Sequence, residues 1–276
     1  KMLNMDFYSS PLSLFLPFTF NLARNQKVQS PPIYFMITPK YVQQFWVGLM
    51  DGDGSIQVNH NAPSSIGLRM TIKLKDTPAN RGMLNIIAEH VGGKHRPDGS
   101  KGEFYRWVVD SQIRCNEIIT RIYDVYPPLH KRMVNKLAFM RECIRTNDHV
   151  WFMKNREHMN TYAGSFILPS NPIYLPAWIS GFIEAEGSFN TRSNGNHSFS
   201  ITQKDNPHLL HYIRDYFMIS PPVSLHETQS KGLSRLEVYE QATLLRIINH
   251  FDKYPLLGDK AISFAKWAEL VKLRTK

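Results

Sequence analysis

Phe45-Trp46-Val47-Gly48-Leu49-Met50-Asp51-Gly52-Asp53-Gly54-Ser55 has a counterpart further along the same chain. This is Trp178-Ile179-Ser180-Gly181-Phe182-Ile183-Glu184-Ala185-Glu186-Gly187-Ser188, with Gly48 and Gly181 133 residues apart. Two more landmarks recur in the same order. Ile72-Lys73-Leu74-Lys75-Asp76 matches Ile201-Thr202-Gln203-Lys204-Asp205 at an offset of 129, and Tyr126-Pro127-Pro128-Leu129 matches Tyr254-Pro255-Leu256-Leu257 at 128. Three ordered matches at nearly constant offset mark an internal duplication. Two copies imply a pseudo-symmetric pair of half-domains, since a solenoid needs three or more units.

One secondary-structure plan fits both copies. Val42, Phe45, Trp46 and Leu49 fall at i, i+3, i+4 and i+7, as do Leu175, Trp178, Ile179 and Phe182, so each motif lies on a short amphipathic helix. Gly54 and Gly187 are placed to end those helices as C-cap glycines. Strands are predicted over 55–60 and 67–74, then 188–192 and 198–203, each pair followed by a helix (83–90; 209–217). A further strand follows in each half (104–110, after an Asp98-Gly99 turn; 233–239). Helices over 116–123, 131–145, 242–251 and 261–274 complete an α+β plan. The expected divisions are an N-terminal extension 1–40, a first repeat 41–145, a linker 146–173 rich in Asn and Pro, and a second repeat 174–276.

Gly48 and Gly181 lie inside helices, where glycine costs roughly 1 kcal/mol against alanine. Two helices crossing with their backbones in close approach would explain both. Asp51, Asp53, Glu184 and Glu186 gather at the helix C-termini, where the macrodipole disfavours negative charge. Crossing helices would bring Asp53 and Glu186 together, and neighbouring carboxylates raise each other's pKa unless a cation intervenes. A hard divalent ion such as Mg²⁺ suits an oxygen-only site of this kind, and beside a phosphodiester it activates water and stabilises the leaving oxygen. An EF-hand is excluded, because Ala62 stands where its Glu is required.

The doubled string, Trp46–Gly54 and Ile179–Gly187, resembles the signature of the LAGLIDADG homing endonucleases of the single-chain, two-repeat type. The resemblance covers about residues 41–276. It implies an αββαββα unit used twice, with the signature helices at the central interface and the two sheets forming a saddle along the DNA major groove. It also implies Mg²⁺-dependent cutting of both strands of a long site across the minor groove. The last acid of each motif, Asp53 and Glu186, would be catalytic and metal-binding, with Gly52 and Ala185 beside them in the metal set. A basic residue five positions after a helix-starting proline falls on Lys260 in the second half. In the first it falls on Arg132, a departure: Arg stabilises phosphate charge but does not carry protons. A water-positioning polar residue falls on Gln203, whereas Leu74 stands in the equivalent place.

Alternate strand residues share a face. Ser55, Gln57 and Asn59 share one, as do Arg69, Thr71 and Lys73, with Arg106 on the next strand. In the second half the sets are Ser188, Asn190 and Arg192, then Ser198, Ser200 and Thr202, with Arg235. Ile56, Val58, Ile72, Phe189, Phe199 and Ile201 line the opposite faces. Gln, Asn, Arg and Lys are the side chains that pair with base edges in the major groove. A plain solvated face is the alternative.

Composition agrees with a polyanionic partner. The 276 residues carry 33 Lys plus Arg against 23 Asp plus Glu, a net charge of +10. Cys115 and Cys143 form neither a metal spacing nor a disulfide framework. No apolar run reaches membrane-span length. Residues 1–40 hold five prolines and many aromatics (Phe7, Tyr8, Phe15, Phe18, Phe20, Tyr34, Phe35), which are expected to pack on something; a targeting remnant is the alternative. Two function classes remain. One is a monomeric DNA endonuclease, in a mitochondrial setting by family resemblance. The other is an RNA-binding protein on the same scaffold, a group I intron maturase or a structural partner of organellar RNA.

Overall fold

Thr38 opens the first motif helix. Its hydroxyl accepts the Tyr41 N–H at 3.2 Å and Pro39 fills the first turn, so α1 runs Pro39–Asp53. The computed structural model describes residues 37–62, 65–100, 102–163, 169–193, 195–220, 222, 224–226 and 232–274, all within one unit that begins at Met36. The aromatic N-terminal stretch up to residue 36 lies outside the described residues, and with it its expected packing. The helix starts inside the extension expected to reach residue 40.

After α1 come β1 (Gly54–Ala62), β2 (Ser65–Lys75), α2 (Pro78–Val91), β3 (Lys94–Asp98), β4 (Phe104–Val109), α3 (Gln112–Ile118) and α4 (Lys131–Thr146). The second half repeats the order with α6 (Leu175–Glu186), β5 (Gly187–Asn190), β6 (Ser198–Lys204), α7 (Pro207–Tyr216), β7 (Ser224–His226), β8 (Leu233–Val238), α8 (Gln241–Lys253) and α9 (Asp259–Leu273). Each half holds an antiparallel four-stranded sheet, ordered β1-β2-β4-β3 and β5-β6-β8-β7. The fold is α+β, built from two pseudo-symmetric units.

Several expectations need correction. The short strands β3 and β7 carry no apolar alternation, as Lys-His-Arg-Pro-Asp in β3 illustrates, and are held only by pairing with β4 and β8. The helix expected over 116–123 starts at Gln112 and passes into a π-helical turn, Ile119–Tyr123. The linker is partly helical. Asp148 caps α5 (His149–Asn155), which runs into a 3₁₀ turn at Arg156–His158. Trp151 and Tyr162 of this segment stack about Phe139 of α4, with ring centroids 5.4 and 5.3 Å away.

The two motif helices form the centre. Nearly every residue of both from Tyr41 to Asp51 and from Leu175 to Glu184 is buried, because each helix packs on its twin and on a sheet. A Cβ on Gly48 would stand 2.0 Å from the Trp178 carbonyl oxygen, and one on Gly181 1.9 Å from that of Phe45. The glycines are therefore the crossing point. Gly54 and Gly187, by contrast, are not left-handed caps: both are extended (φ −77° and −72°), and a Cβ there would collide with Met50 and Ile183.

Candidate active site and nucleic-acid face

The four motif acids separate into two kinds. Asp51 and Glu184 are buried and hold other helices in place. Asp51 Oδ2 accepts from the Leu129 N–H at 2.7 Å and from Trp178 Nε1 at 2.8 Å. Glu184 accepts from the Leu257, Gly258 and Lys260 N–H groups at 3.1, 3.0 and 2.9 Å, which lie at the start of α9. Free N–H groups at a helix start offset the cost of a buried carboxylate. The offset is incomplete at Asp51, whose Oδ1 is buried without a hydrogen-bond partner, and burial pushes its pKa up to about 7. The repeated Tyr-Pro landmark also finds its reason here. Tyr41 donates to the Pro255 carbonyl at 2.5 Å, and Tyr174 donates to that of Pro127, so each motif helix grips the other half's loop.

Asp53 and Glu186 end the two helices one turn past the crossing. A Cβ on Gly52 would meet that of Ala185 at 2.3 Å and Glu186 Cγ at 3.3 Å, so the backbones stay in close approach beside the acids. Surrounding protein raises the Asp53 pKa and the Lys260 ammonium lowers it. Desolvation raises Glu186 most, the Asp53 charge raises it further, and the Gln203 hydrogen bond, Lys260 and Arg132 pull it down. Each carboxylate thus feels cations, and Glu186 also feels its fellow acid.

The cations come from α4 and α9, and their starts are held by the opposite half. Asn80 of the first half accepts from the Asp259 N–H at 3.2 Å, and Thr77 donates to the Asp259 carboxylate at 2.6 Å. In mirror fashion, Asn206 of the second half accepts from the Lys131 N–H at 3.3 Å, and His208 reaches the Leu129 carbonyl at 3.0 Å. His130, at the α4 N-cap, is held by burial to a pKa of about 4, so it serves as a neutral acceptor for the Arg132 N–H. Lys260 Nζ donates to the Gly187 carbonyl, beside Glu186. Gln203 is buried on β6, on the same strand side as Phe199 and Ile201, and hydrogen-bonds to Glu186. Leu74 holds its place in the first half and packs against the core.

An open cleft of about 1010 Å³ is lined by Gly52, Glu186, Arg132, Gln203 and Thr202, whereas Asp53 and Lys260 lie outside its lining. Its carboxylates are Glu186 and Asp205, Asn, Gln and Thr side chains add neutral oxygens, and among the described residues no cluster of three or more His, Cys, Asp or Glu forms a ready-made cage. A hard divalent ion fits that donor set if water and phosphate complete its shell.

The sheet faces differ from one another. In the first, register places Ser55 beside Thr71, Gln57 beside Arg69, and Lys73 beside Arg106 and then Arg96, with Asn59 exposed at the far end of β1. Asp98 pairs with Lys73 at 3.0 Å and Arg106 at 2.6 Å, and Thr71 is tied to the Trp107 carbonyl. In the second, Ser188 and Thr202 share the face with Arg235. Ser198 and Ser200, expected on an open face, are buried. Asn190 bonds both hydroxyls, and Glu237 accepts from Ser198 while pairing with Arg235 at 2.8 Å and with Arg192 at 3.8 Å. The expectation missed this because period-two alternation cannot show what lies over a face. Both cysteines are buried free thiols. No helix among the described residues is long and apolar enough to cross a membrane.

Sequence reasoning also missed Asn80, and missed Asn206, whose place before Pro207 repeats that of Thr77 before Pro78 and could have been found from the same offset, and it missed Asn160 and Thr161, which bring the linker to the cleft wall.

Comparison with known proteins agrees with this architecture. Residues 46–143 and 179–271 match the family described as LAGLIDADG endonuclease. The chain is 37% identical over 238 residues to a Dictyostelium citrinum protein named "Probable intron-encoded endonuclease aI3", covering 84% of this chain and 96% of that one. A protein of the same name from Debaryomyces hansenii is 31% identical, but the match spans only 39% of its length. Among solved structures, the LAGLIDADG meganuclease I-CpaMI bound to uncleaved DNA superposes with a TM-score of 0.68 at 19% identity, covering 84% of this chain and 92% of that one. The homing endonuclease I-GzeII in complex with its DNA target gives 0.64 at 20%. With the doubled signature on crossing helices and the family match in both repeats, this chain belongs to the LAGLIDADG endonuclease family.

Proposed function

We propose that this endonuclease makes a site-specific double-strand cut in DNA by metal-dependent phosphodiester hydrolysis, with Asp53 and Glu186 as the paired metal-binding acids. The observation that carries the reading is their adjacency at the end of a glycine-tight crossing, each within the field of Lys260 and Glu186 also within that of Arg132. A bound divalent cation, Mg²⁺ by the chemistry of the donors, would polarise the phosphate and lower the pKa of the attacking water. Asp53 and Glu186 would hold it, with Gly52 and Ala185 keeping the two acids close. Gln203 orients water beside Glu186, and Lys260 and Arg132 stabilise charge on the pentavalent phosphate. The water oxygen bonds to phosphorus, one P–O bond breaks, and the departing sugar oxygen takes up a proton. The face carrying Gln57, Asn59, Arg69, Lys73, Arg106, Ser188, Asn190, Arg192, Thr202 and Arg235 would read the groove.

DNA-bound structures of I-CpaMI and I-GzeII, and one of I-SmaMI bound to uncleaved DNA in the presence of calcium ions, support the partner and the divalent ion. Intron-encoded relatives support an organellar, mitochondrial gene setting. The RNA-binding alternative is not favoured, because the matched relatives carry endonuclease names. Selection of cleaved sites from a randomised duplex library with Mg²⁺ tests the reading. Asp53→Asn and Glu186→Gln are each expected to abolish double-strand cleavage with binding retained. Loss of binding with cleavage per bound complex unchanged would overturn the assigned roles.

A further inference from the structure

The linker is pinned more firmly than a tether requires. Asn135 of α4 is buried, and its amide is used wholly on linker backbone: Nδ2 donates to the Asn160 carbonyl at 2.5 Å and Oδ1 accepts from the Ala163 N–H at 3.1 Å. Burying an amide side chain costs free energy unless both ends are paired. Here the pairing fixes one specific path for the backbone on either side of Thr161. The ring contacts of Phe139 with Trp151 and Tyr162 hold the same segment from behind.

That path brings the segment to the groove side. Asn160 and Thr161 line the cleft that holds Glu186 and Arg132. Asn160 also lines a second, smaller depression together with Arg156, Asn59 and His60 at the far end of β1. The cleft and the exposed end of the first sheet are therefore continuous through the linker turn. Arg156, Asn160 and Thr161 are all exposed along it. The nearest acid to Arg156 is Glu157, at 4.0 Å and well exposed, a weak partner that leaves the guanidinium open to another anion.

We infer that the linker turn over residues 156–161 is a third DNA-contacting element, which holds the sugar-phosphate backbone along the β1 edge of the first half. The inference rests on the endonuclease reading. Its chemistry is that of phosphate contact: one guanidinium, polar Asn and Thr side chains, and no fixed set of base-reading groups. The turn follows α4 and lies against Asn59 and His60 of β1, so the contact falls on the half-site covered by the first sheet. It follows the half that carries Leu74 and Arg132 where the second half has Gln203 and Lys260.

The test uses the full chain and the duplex site selected above. Phosphate-ethylation interference and the salt dependence of binding are measured for the wild type, Arg156→Ala and Asn135→Ala. Arg156→Ala is expected to erase interference at one or two phosphates in a single half-site. It should also reduce the log-log salt slope by about one unit, with the groove-face contacts unchanged. Asn135→Ala should lose the same phosphates because its buried amide fixes the turn's backbone, which a turn without a DNA contact would not produce. Unchanged slope and footprint in Arg156→Ala, with the wild type binding and cutting normally, overturn the linker contact alone. Failure of the wild type to bind or cut any duplex overturns the endonuclease reading instead.

Discussion

Gly181→Ala tests the helix crossing because local and tertiary effects have opposite signs. On an isolated helix the change stabilises by about 1 kcal/mol. In the crossing the new methyl would stand 1.9 Å from the Phe45 carbonyl oxygen, whereas contacts under 3.0 Å are essentially never seen, a shortfall of more than 1 Å. The obstacle is backbone, so no rotamer relieves it and the helices must part. Overpacking of this kind costs about 1–3 kcal/mol, occasionally more. Parting also lengthens the 2.8 Å bond between Trp178 and Asp51. With the weakened bond costing about 1 kcal/mol more and the local gain of about 1 kcal/mol subtracted, the expected net effect is a loss of about 1–3 kcal/mol, seen as a lower urea midpoint at unchanged slope. Gly82→Ala is the control. Gly82 is exposed within α2 and a Cβ there meets nothing within 4 Å. It should gain about 0.5–1 kcal/mol. If Gly181→Ala matches or exceeds the wild type while the control behaves as stated, the close crossing is refuted.

Two further outcomes follow from the acids and their surroundings. The folded-state pKa of Asp51 is raised to about 7 from an ordinary 3.8, so its favourable contribution is complete below about pH 4 and is lost as pH rises through 7. Asp51→Asn should therefore flatten the decline in stability between about pH 4 and pH 7 seen by urea titration, and an unchanged pH dependence would count against a buried carboxylate with a raised pKa. Gln203→Leu gives the second half the apolar neighbour that Leu74 gives the first. It should slow one strand's cleavage on the order of 10-fold or more, so that nicked plasmid accumulates; equal slowing of both strands would remove Gln203 from its assigned role.

The scaffold was legible because its reasons are local and doubled. Gly48 with Gly181 announced a crossing, and strand alternation at Ile56, Val58 and Ile72 separated core from face. What was not legible depends on contacts between distant segments. Asp51 and Glu184 look like Asp53 and Glu186 in sequence, yet only the fold shows them under the starts of α4 and α9. Ser198 and Ser200 follow the exposed pattern, but Glu237 and Asn190 lie over them. β3 has a polar, proline-containing sequence and is a strand only because β4 pairs with it. The Asn-rich linker reads as loop, although Asp148 caps a helix within it and Asn135 fixes its course.

The exchanged clamps of Thr77 and Asn80 on α9, and of Asn206 and His208 on α4, have a consequence for how the protein could be divided. Neither half contains everything needed to position its own basic residue, and Asp53 draws its cation, Lys260, from the opposite half. A gene cut at the linker would yield two fragments that are incompetent alone and become competent only as a matched pair. Such an interlock works as a coincidence requirement, under which chemistry on either strand waits until both halves are seated together.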